Sequence, residues 1–213
     1  ASELDNSSCS GGLIPGTQQL TYYLETNLVG AFIDPSCVWE LSWGSGDWNY
    51  FQNIDNSLLP NAYIQTILDP TFGCNSSATV SSMQVPYWCA DDVVSHQVTT
   101  NIPAGFSVDY SLTGVLTTGG VTAPYELPYT PADQITGITI DNITGQIDFT
   151  APAQFGTYVV GIQIDVYDGA GNLVSTMIEA MTFVIKLCQS SPTLFTLPEI
   201  QAAHADVTVI SDN

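Results

Sequence analysis

The stretch "YVVGIQIDVYDGAGNLVSTMIEAMTFVI", residues 158–185, consists of two apolar runs on either side of a turn rich in Gly, Asp and Asn. In the first run every second residue is large and apolar, which is the side-chain period of a β-strand with one buried face. The turn "DGAGN" supplies the Gly and Asn that tight hairpin turns favour at positive φ. The stretch therefore predicts a long β-hairpin.

The alternation also assigns each residue of the hairpin to a face. The buried face is predicted to carry Tyr158, Val160, Ile162, Ile164 and Val166 in the first strand and Met177, Met181, Phe183, Ile185 and Leu187 in the second. The other face of the first strand is expected to meet solvent or the edge of a partner, and it carries Val159, Gly161, Gln163, Asp165 and Tyr167. The pattern breaks at Glu179 and Ala180, where we predict a β-bulge.

Strand-like runs of Val, Ile, Thr, Tyr and Phe recur along the rest of the chain, whereas helical periodicity is nearly absent. Candidate strands are 18–29, 37–43, 61–68, 93–99, 106–112, 135–140, 146–150 and 205–210. Short strands separated by frequent turns are typical of β-sandwich domains. We therefore predict an all-β protein made of tandem immunoglobulin-like β-sandwich modules.

The composition changes near residues 99–105, where we place a domain boundary. Residues 1–100 are predicted to form a β-sandwich module rich in Cys and aromatic residues, and residues 101–190 an immunoglobulin-like module. Residues 191–213 are predicted to be a terminal strand segment or the start of a following module. They contain a predicted assembly strand that adds to a neighbour's sheet, made of Asp206, Val207, Thr208, Val209 and Ile210.

The charge of the chain restricts its ligands. One basic residue, Lys186, stands against 21 acidic ones, and the formal net charge is −20. Phosphate recognition requires Lys or Arg, so this composition argues against nucleic-acid binding and against attraction to an anionic membrane. There is no apolar run of about 18 residues, which membrane insertion by a helix requires. The chain begins with Ala1 and has no signal-peptide pattern, so we interpret it as a processed secreted protein or part of a longer one.

The five cysteines are Cys9, Cys37, Cys74, Cys89 and Cys188. None forms a Cys-x-x-Cys pair and the two histidines are far apart in sequence, which argues against zinc. Disulfides in an oxidising compartment are favoured, and the odd count leaves at least one cysteine free or bonded to another chain. A short, turn-rich segment separates Cys74 from Cys89, so this pair is the favoured bridge.

The hairpin turn also raises the question of a calcium site. Asp165, Asp168 and Asn172 bring oxygen atoms to the turn, and Glu179 follows in the second strand. Their spacing does not match an EF-hand, which has a bidentate Glu at its twelfth position. A plain turn is favoured, with calcium bound by these four residues as the alternative, and no other cofactor is predicted.

The segment "CVWELSWGSGDWNYFQN", residues 37–53, is rich in aromatic residues. Its first part predicts a strand packed in the core, because one face carries Cys37, Trp39, Leu41 and Trp43. Trp48 and Tyr50 are expected to be exposed. With Asp47 nearby, they are the candidate residues of a sugar-binding platform.

Catalytic patterns are weak. Asp91 and Asp92 are adjacent, and adjacent strand residues point to opposite faces, so they do not make an acid–base pair. There is no G-x-S-x-G motif, and neither His96 nor His204 lies in a recognisable triad context. We predict that the protein is not an enzyme.

The hairpin belongs to a longer motif, "ITIDNITGQIDFTAPAQFGTYVVGIQIDVYDGAGNLVSTMIEAMTFVIKLC", residues 138–188. It resembles a pattern in very long surface proteins of Bacteroidota, in which "I-D-x-x-T-G-x-I-x-F-T-P" precedes "G-x-Y-V-V-x-V-x-V", a turn, a last strand and a cysteine. The matching residues are Ile140, Asp141, Thr144, Gly145, Ile147, Phe149, Thr150, Gly156, Tyr158, Val159, Val160 and Cys188. Upstream, "CNSSATVSSMQVPYWCADD" (74–92) resembles "C-N-x-S-P-x-F…P-P-Y-x-C" of the same proteins.

Those relatives are secreted through the type IX system, and many are gliding adhesins or repeat-built fibres with immunoglobulin-like or cadherin-like modules. The resemblance implies an extracellular structural or adhesive protein of the bacterial cell surface, a module of an adhesin or self-assembling filament. Its expected partners are other copies of itself, neighbouring modules of the same chain, and surface glycans. The alternatives are a secreted carbohydrate-binding module, a calcium-stiffened linker array and, last, a hydrolase.

Overall fold

A computed structural model describes residues 2–4, 17–19, 38–45, 50–58, 61–69, 77–80 and 87–188. These residues form an all-β fold with one short 3₁₀ turn, Asn56–Leu58. The strands are β1 (Ser2–Leu4), β2 (Thr17–Gln19), β3 (Trp39–Ser45), β4 (Ala62–Leu68), β5 (Thr79–Val80), β6 (Tyr87–Cys89), β7 (Val93–Gln97), β8 (Thr100–Asn101), β9 (Ser107–Thr113), β10 (Leu116–Thr117), β11 (Val121–Thr122), β12 (Thr139–Ile140), β13 (Gln146–Thr150), β14 (Gly156–Tyr167) and β15 (Leu173–Lys186).

The predicted strands are largely confirmed where the structure describes the chain. The runs 37–43, 61–68, 93–99, 106–112 and 146–150 correspond to β3, β4, β7, β9 and β13. The run 135–140 is shortened to the two residues of β12. Most of 18–29 and all of 205–210 lie outside the described residues.

The predicted hairpin is confirmed as β14 and β15, which pair from Gly156↔Ile185 to Tyr167↔Leu173. The predicted inner face of β14 is fully buried, since Tyr158, Val160, Ile162, Ile164 and Val166 are each at most 1 % exposed. The inner face of β15 is buried from Met177 to Ile185, but Leu187 is 65 % exposed and does not continue it.

The outer face of β14 differs from the prediction. Val159 is 0 % exposed and Gly161 is also buried, so at this end of the strand the face does not meet solvent. Phe51, Ile54 and Val115 pack on Val159 in a second, smaller apolar cluster. The expectation was wrong because two distant loops cover this end of the strand, which the alternation within β14 does not reveal.

The predicted bulge at Glu179 and Ala180 is also wrong. Ile162↔Glu179 and Gly161↔Ala180 are successive pairs of an unbroken register, and the irregularity lies between Val166 and Tyr167 instead. Because the register is unbroken, Glu179 lies on the same face as Met177 and Met181. The carboxyl therefore belongs to the inner, core-bearing face of the sheet.

Two sheets share the main core, and all their strand pairs are antiparallel except β6 with β15. The larger has the order β11–β10–β4–β15–β14–β9, with β3 added on β4 and β6 on β15, and the smaller has the order β12–β13–β7. Val94 of β7 and Phe149 of β13 belong to the same apolar cluster as Ile162 of β14 and Phe183 of β15. The inner faces of the two sheets therefore pack against each other.

One edge of β15 is divided between two strands. β4 pairs antiparallel with residues 175–178, and β6 pairs in parallel with residues 184–186. Both strands precede residue 100, and β7 also pairs with β13. The described strands on the two sides of the predicted boundary near residues 99–105 are thus hydrogen-bonded to one another.

The strand in residues 37–43 was predicted to pack in the core, and this is wrong. Leu41 is 46 % exposed and Trp43 is 43 % exposed. β3 lies beside β4, beyond the area that the smaller sheet covers, and no residue of β3 or β4 belongs to the core cluster. The alternation identified a strand correctly but did not show that its face extends past the covering sheet.

Candidate functional site

The hairpin turn is closed by its own side chains. Asp168 Oδ1 accepts hydrogen bonds from the backbone N–H groups of Ala170 (2.9 Å) and Asn172 (2.8 Å), and Asp168 Oδ2 accepts one from Asn172 Nδ2 (2.9 Å). These bonds, led by the Asn172 amide side chain, hold the pKa of Asp168 below its ordinary value. Gly171 adopts φ +86°, as the turn requires. The geometry accounts for the turn without a ligand.

The four candidate calcium ligands are not brought together. Asp165 faces Thr176 across the hairpin and accepts hydrogen bonds from Thr176 Oγ1 (2.6 Å) and Gln163 Nε2 (2.8 Å). Glu179 pairs with Ile162, so its side chain lies on the opposite face of the sheet from Asp165. Among the described residues there is no group of three or more side chains suited to a metal ion. Calcium binding stays a prediction, tested by comparing the melting temperature in calcium and in excess EDTA.

Glu179 is a partly buried carboxyl on the inner face of the sheet. It lines a small apolar pocket with Val80, Val98 and Met181, and it also lines an open cleft of about 210 Å³ next to β3 and β4. Its carboxyl forms no hydrogen bond with any described residue. Burial alone raises the pKa of Glu179 to about 7, because a charged carboxylate loses its hydration in apolar surroundings.

Replacing Glu179 with glutamine is expected to remove a pH dependence from the stability. The folded pKa is about 7 against an ordinary 4.5, so between these values the folded protein holds a proton that the unfolded chain has released. The contribution to stability is full below the unfolded pKa and is lost as the pH rises through the folded one, by about 3 kcal/mol in total. Urea unfolding of the wild type and of Glu179→Gln, at several pH values between 4.5 and about 7, measures this loss of unfolding free energy.

The matched control is Glu40→Gln, because Glu40 is an exposed carboxyl on β3 that accepts a hydrogen bond from Tyr63. We expect this variant to keep the pH dependence of the wild type. A difference between wild type and Glu179→Gln that stays constant over the interval would contradict the assignment.

A second buried polar site, not found from the sequence, closes the free edge of β14. β9 pairs with β14 only from Gly161 to Tyr167. Past that point, Asn53 accepts from the N–H of Val159 (3.1 Å) and donates Nδ2 to its carbonyl (2.7 Å). At Gly161, where the pairing with β9 ends, Gln134 accepts from the N–H (2.7 Å) and donates to the carbonyl (3.1 Å). The two amides replace a missing strand.

These amides are fully buried and linked to each other. Asn53 and Gln134 are both 0 % exposed, and Asn53 Nδ2 also donates to the Gln134 carbonyl at 2.8 Å. The Tyr125 hydroxyl donates to Gln134 Oε1 and accepts from the N–H of Val115. Burial raises the pKa of Tyr125 to about 12, so the hydroxyl remains protonated and keeps donating.

Cys89 forms a disulfide with Cys188, with a Cα–Cα distance of 5.2 Å. The predicted Cys74–Cys89 bridge is therefore wrong, because the parallel pairing of β6 with the end of β15 brings Cys188 to Cys89 instead. Cys9, Cys37 and Cys74 lie outside the described residues. The bond fixes the short strand β6 to the longest strand of the sheet.

The side chains near the disulfide form an aromatic cluster. Trp88 stacks on Phe183 at a centroid distance of 5.6 Å, and His96 meets Trp88 edge-on at 5.9 Å. Burial lowers the pKa of His96, which favours the neutral imidazole. Asp92 accepts a hydrogen bond from the Cys89 N–H in the turn between β6 and β7. Trp88 and His96 therefore pack in the core, and Asp92 stabilises the turn.

Of the candidate sugar-binding residues, Tyr50 is 69 % exposed, as predicted. Asp47 and Trp48 lie outside the described residues, as does the predicted assembly strand 206–210. Among the residues that the structure describes, no helix is long and apolar enough to cross a lipid bilayer.

Comparison with known proteins returns no match, either to a family profile, to a curated protein or to a solved structure. The resemblance to surface proteins of Bacteroidota therefore stays a prediction. What the chain does must be inferred from its own geometry.

Proposed function

We propose that this chain is an extracellular structural or adhesive protein of immunoglobulin-like β-sandwich modules, without catalysis, whose role is to transmit mechanical load. In the leading form of this proposal it is a module of a bacterial cell-surface adhesin or filament. Its partners are then other copies of the chain or neighbouring modules.

The strand order supports an immunoglobulin-like arrangement. Such sandwiches pack two antiparallel sheets over one core, with strands of one sheet interleaved in sequence with those of the other. Here the sheets β12–β13–β7 and β6–β15–β14–β9 interleave in this way and share a core. The consecutive strands β5 and β6 also belong to different sheets, because β5 pairs with β8 and β6 pairs with β15.

The disulfide carries the mechanical part of the proposal. A force applied to the chain on either side of the Cys89–Cys188 bond passes from one cysteine to the other through covalent bonds. The strands β7 to β15 lie inside this closed loop and are not extended while the bond is intact. A disulfide of this kind is also stable in extracellular, oxidising surroundings.

Single-molecule pulling by the two chain ends tests this proposal. The cysteines are 99 residues apart, and an extended chain spans up to about 3.6 Å per residue, so adding a reductant should lengthen the fully extended molecule by roughly 350 Å. A double variant, Cys89→Ala with Cys188→Ala, should show the long extension without reductant. An oxidised wild type that extends to the same length as the reduced protein would contradict this load path, in which force passes through the Cys89–Cys188 bond.

The exposure of Tyr50 keeps a carbohydrate-binding function as the second candidate. Aromatic side chains exposed to solvent provide stacking surfaces for sugar rings. We expect the Tyr50→Ala variant to lose retention on a polysaccharide affinity gel if this function is present. Equal retention of variant and wild type would remove Tyr50 from the site.

A further inference from the structure

A cleft with one partly buried carboxyl, that of Glu179, lies where the core of the sandwich ends. Thr66 of β4 faces Leu41 on one side and Met177 on the other, so these three side chains lie on the core-bearing face of the sheet. Two residues away on each strand, on the same side of this row and on the same face, are Trp43, Ile64 and Glu179. The larger sheet therefore extends its inner face past the smaller one, with Glu179 at the margin.

Large apolar side chains are accessible in this cleft, which Ser42, Gln65 and Thr66 also line. Leu41 is 46 % exposed, Trp43 43 % and Ile64 37 %, and all three line the open space of about 210 Å³ that Glu179 also reaches. Glu179 is partly buried and forms no hydrogen bond with any described residue. An uncompensated carboxyl in such surroundings is costly unless a cation or donor reaches it.

The chain has almost no cation with which to satisfy this carboxyl. Its one basic residue, Lys186, is the last residue of β15 and lies over the ring of Tyr87 at 4.0 Å. When Glu179 is ionised, a complementary charge has to come from another molecule. Because Leu41, Ile64 and Trp43 present aliphatic and aromatic groups in the cleft, the cation that fits best is carried on an apolar stem.

We propose that this cleft binds a lysine side chain of an extended segment in a partner protein. The aliphatic stem contacts Leu41 and Ile64, and the ammonium pairs with the Glu179 carboxylate beside the Trp43 ring, where cations are favoured. The net charge of −20 attracts a basic partner over longer range. This inference does not depend on the load path through the disulfide.

Among the described residues, Glu179 is the only titratable group that lines the cleft or the adjoining pocket. On β3, Glu40 lies on the opposite face and binds Tyr63. On β14, Asp165 also lies on the opposite face, and on β7, His96 packs against Phe183. Pairing with a lysine ammonium favours the ionised carboxylate. Any proton released when the lysine binds should therefore come from Glu179.

Two peptides that differ only in charge provide the test, acetyl-Val-Lys-Val-amide and the same peptide with norleucine in place of lysine. Since a charged hydrogen bond contributes about 1.5–3 kcal/mol, we expect the lysine peptide to bind at least about tenfold more tightly near neutral pH. Glu179→Gln should abolish this preference and Glu40→Gln should retain it. Isothermal titration calorimetry measures all four combinations.

A carbon-13 NMR titration of the Glu179 carboxyl gives an independent readout. Saturation with the lysine peptide should lower the pKa of Glu179, and the norleucine peptide should not. The proposal is overturned by equal affinity for the two peptides, by no binding of either, or by a preference for lysine that survives in Glu179→Gln. Backbone amide spectra of the variants verify that they are folded.

Discussion

The double variant Cys89→Ala with Cys188→Ala is expected to lose about 4–5 kcal/mol of unfolding free energy. The bond closes a loop of 99 residues, and the chain entropy that such a loop removes from the unfolded state corresponds to about 4.7 kcal/mol. This is a large share of the 5–15 kcal/mol that typically stabilises a domain. Urea denaturation of both proteins under oxidising conditions measures the difference.

The reductant provides the control for this prediction. Wild type should lose a similar free energy when reduced, whereas the double variant should respond little to the same treatment. Neither substitution removes Trp88 or Phe183, so we expect their stacking contact to persist in the folded variant. A double variant as stable as the oxidised wild type would show that this bond does not constrain the unfolded chain.

Replacing Asn53 with alanine is expected to lower the unfolding free energy by about 4 kcal/mol. The substitution removes the partners of the Val159 N–H and carbonyl, both in the fully buried part of β14. Each buried backbone group left without a partner costs about 1–3 kcal/mol. Urea denaturation monitored by tryptophan fluorescence and by circular dichroism gives the value.

The matched control is Gln154→Ala. Gln154 also forms an amide–amide hydrogen bond, to Gln52 at 2.7 Å, but it is exposed. We expect this variant to lose less than about 0.5 kcal/mol, as surface substitutions usually do. Equal losses in the two variants would mean that the buried amide does not act as a substitute strand.

The sequence predicted the strands of this fold well because each one carries its own signal. The alternation from Tyr158 to Val166 depends only on neighbouring residues and on the period of a strand. The same rule failed at Glu179, where a polar residue on the inner face was interpreted as a bulge. The carboxyl is tolerated there because the position lies at the margin of the core.

Features that depend on distant partners were not predictable in this way. Asn53 and Gln134 are 81 residues apart, and no spacing in the sequence indicates that both amides bond to β14. The exposure of Trp43 depends on how far the smaller sheet extends, which no single strand encodes. The bridge from Cys89 to Cys188 depends on a parallel pairing, whereas the cysteine spacing favours the bridge with the shortest loop.

The partner of Cys89 decides whether a covalent bond closes the loop that contains β7 to β15. Chymotrypsin cleaves after aromatic residues such as Tyr87 and so separates Cys74 from Cys89. Mass spectrometry of the unreduced digest should detect a Cys89 peptide joined to a Cys188 peptide, and reduction should release both. A Cys89 peptide joined to one containing Cys74 would contradict the proposed load path and restore the bridge expected from the sequence.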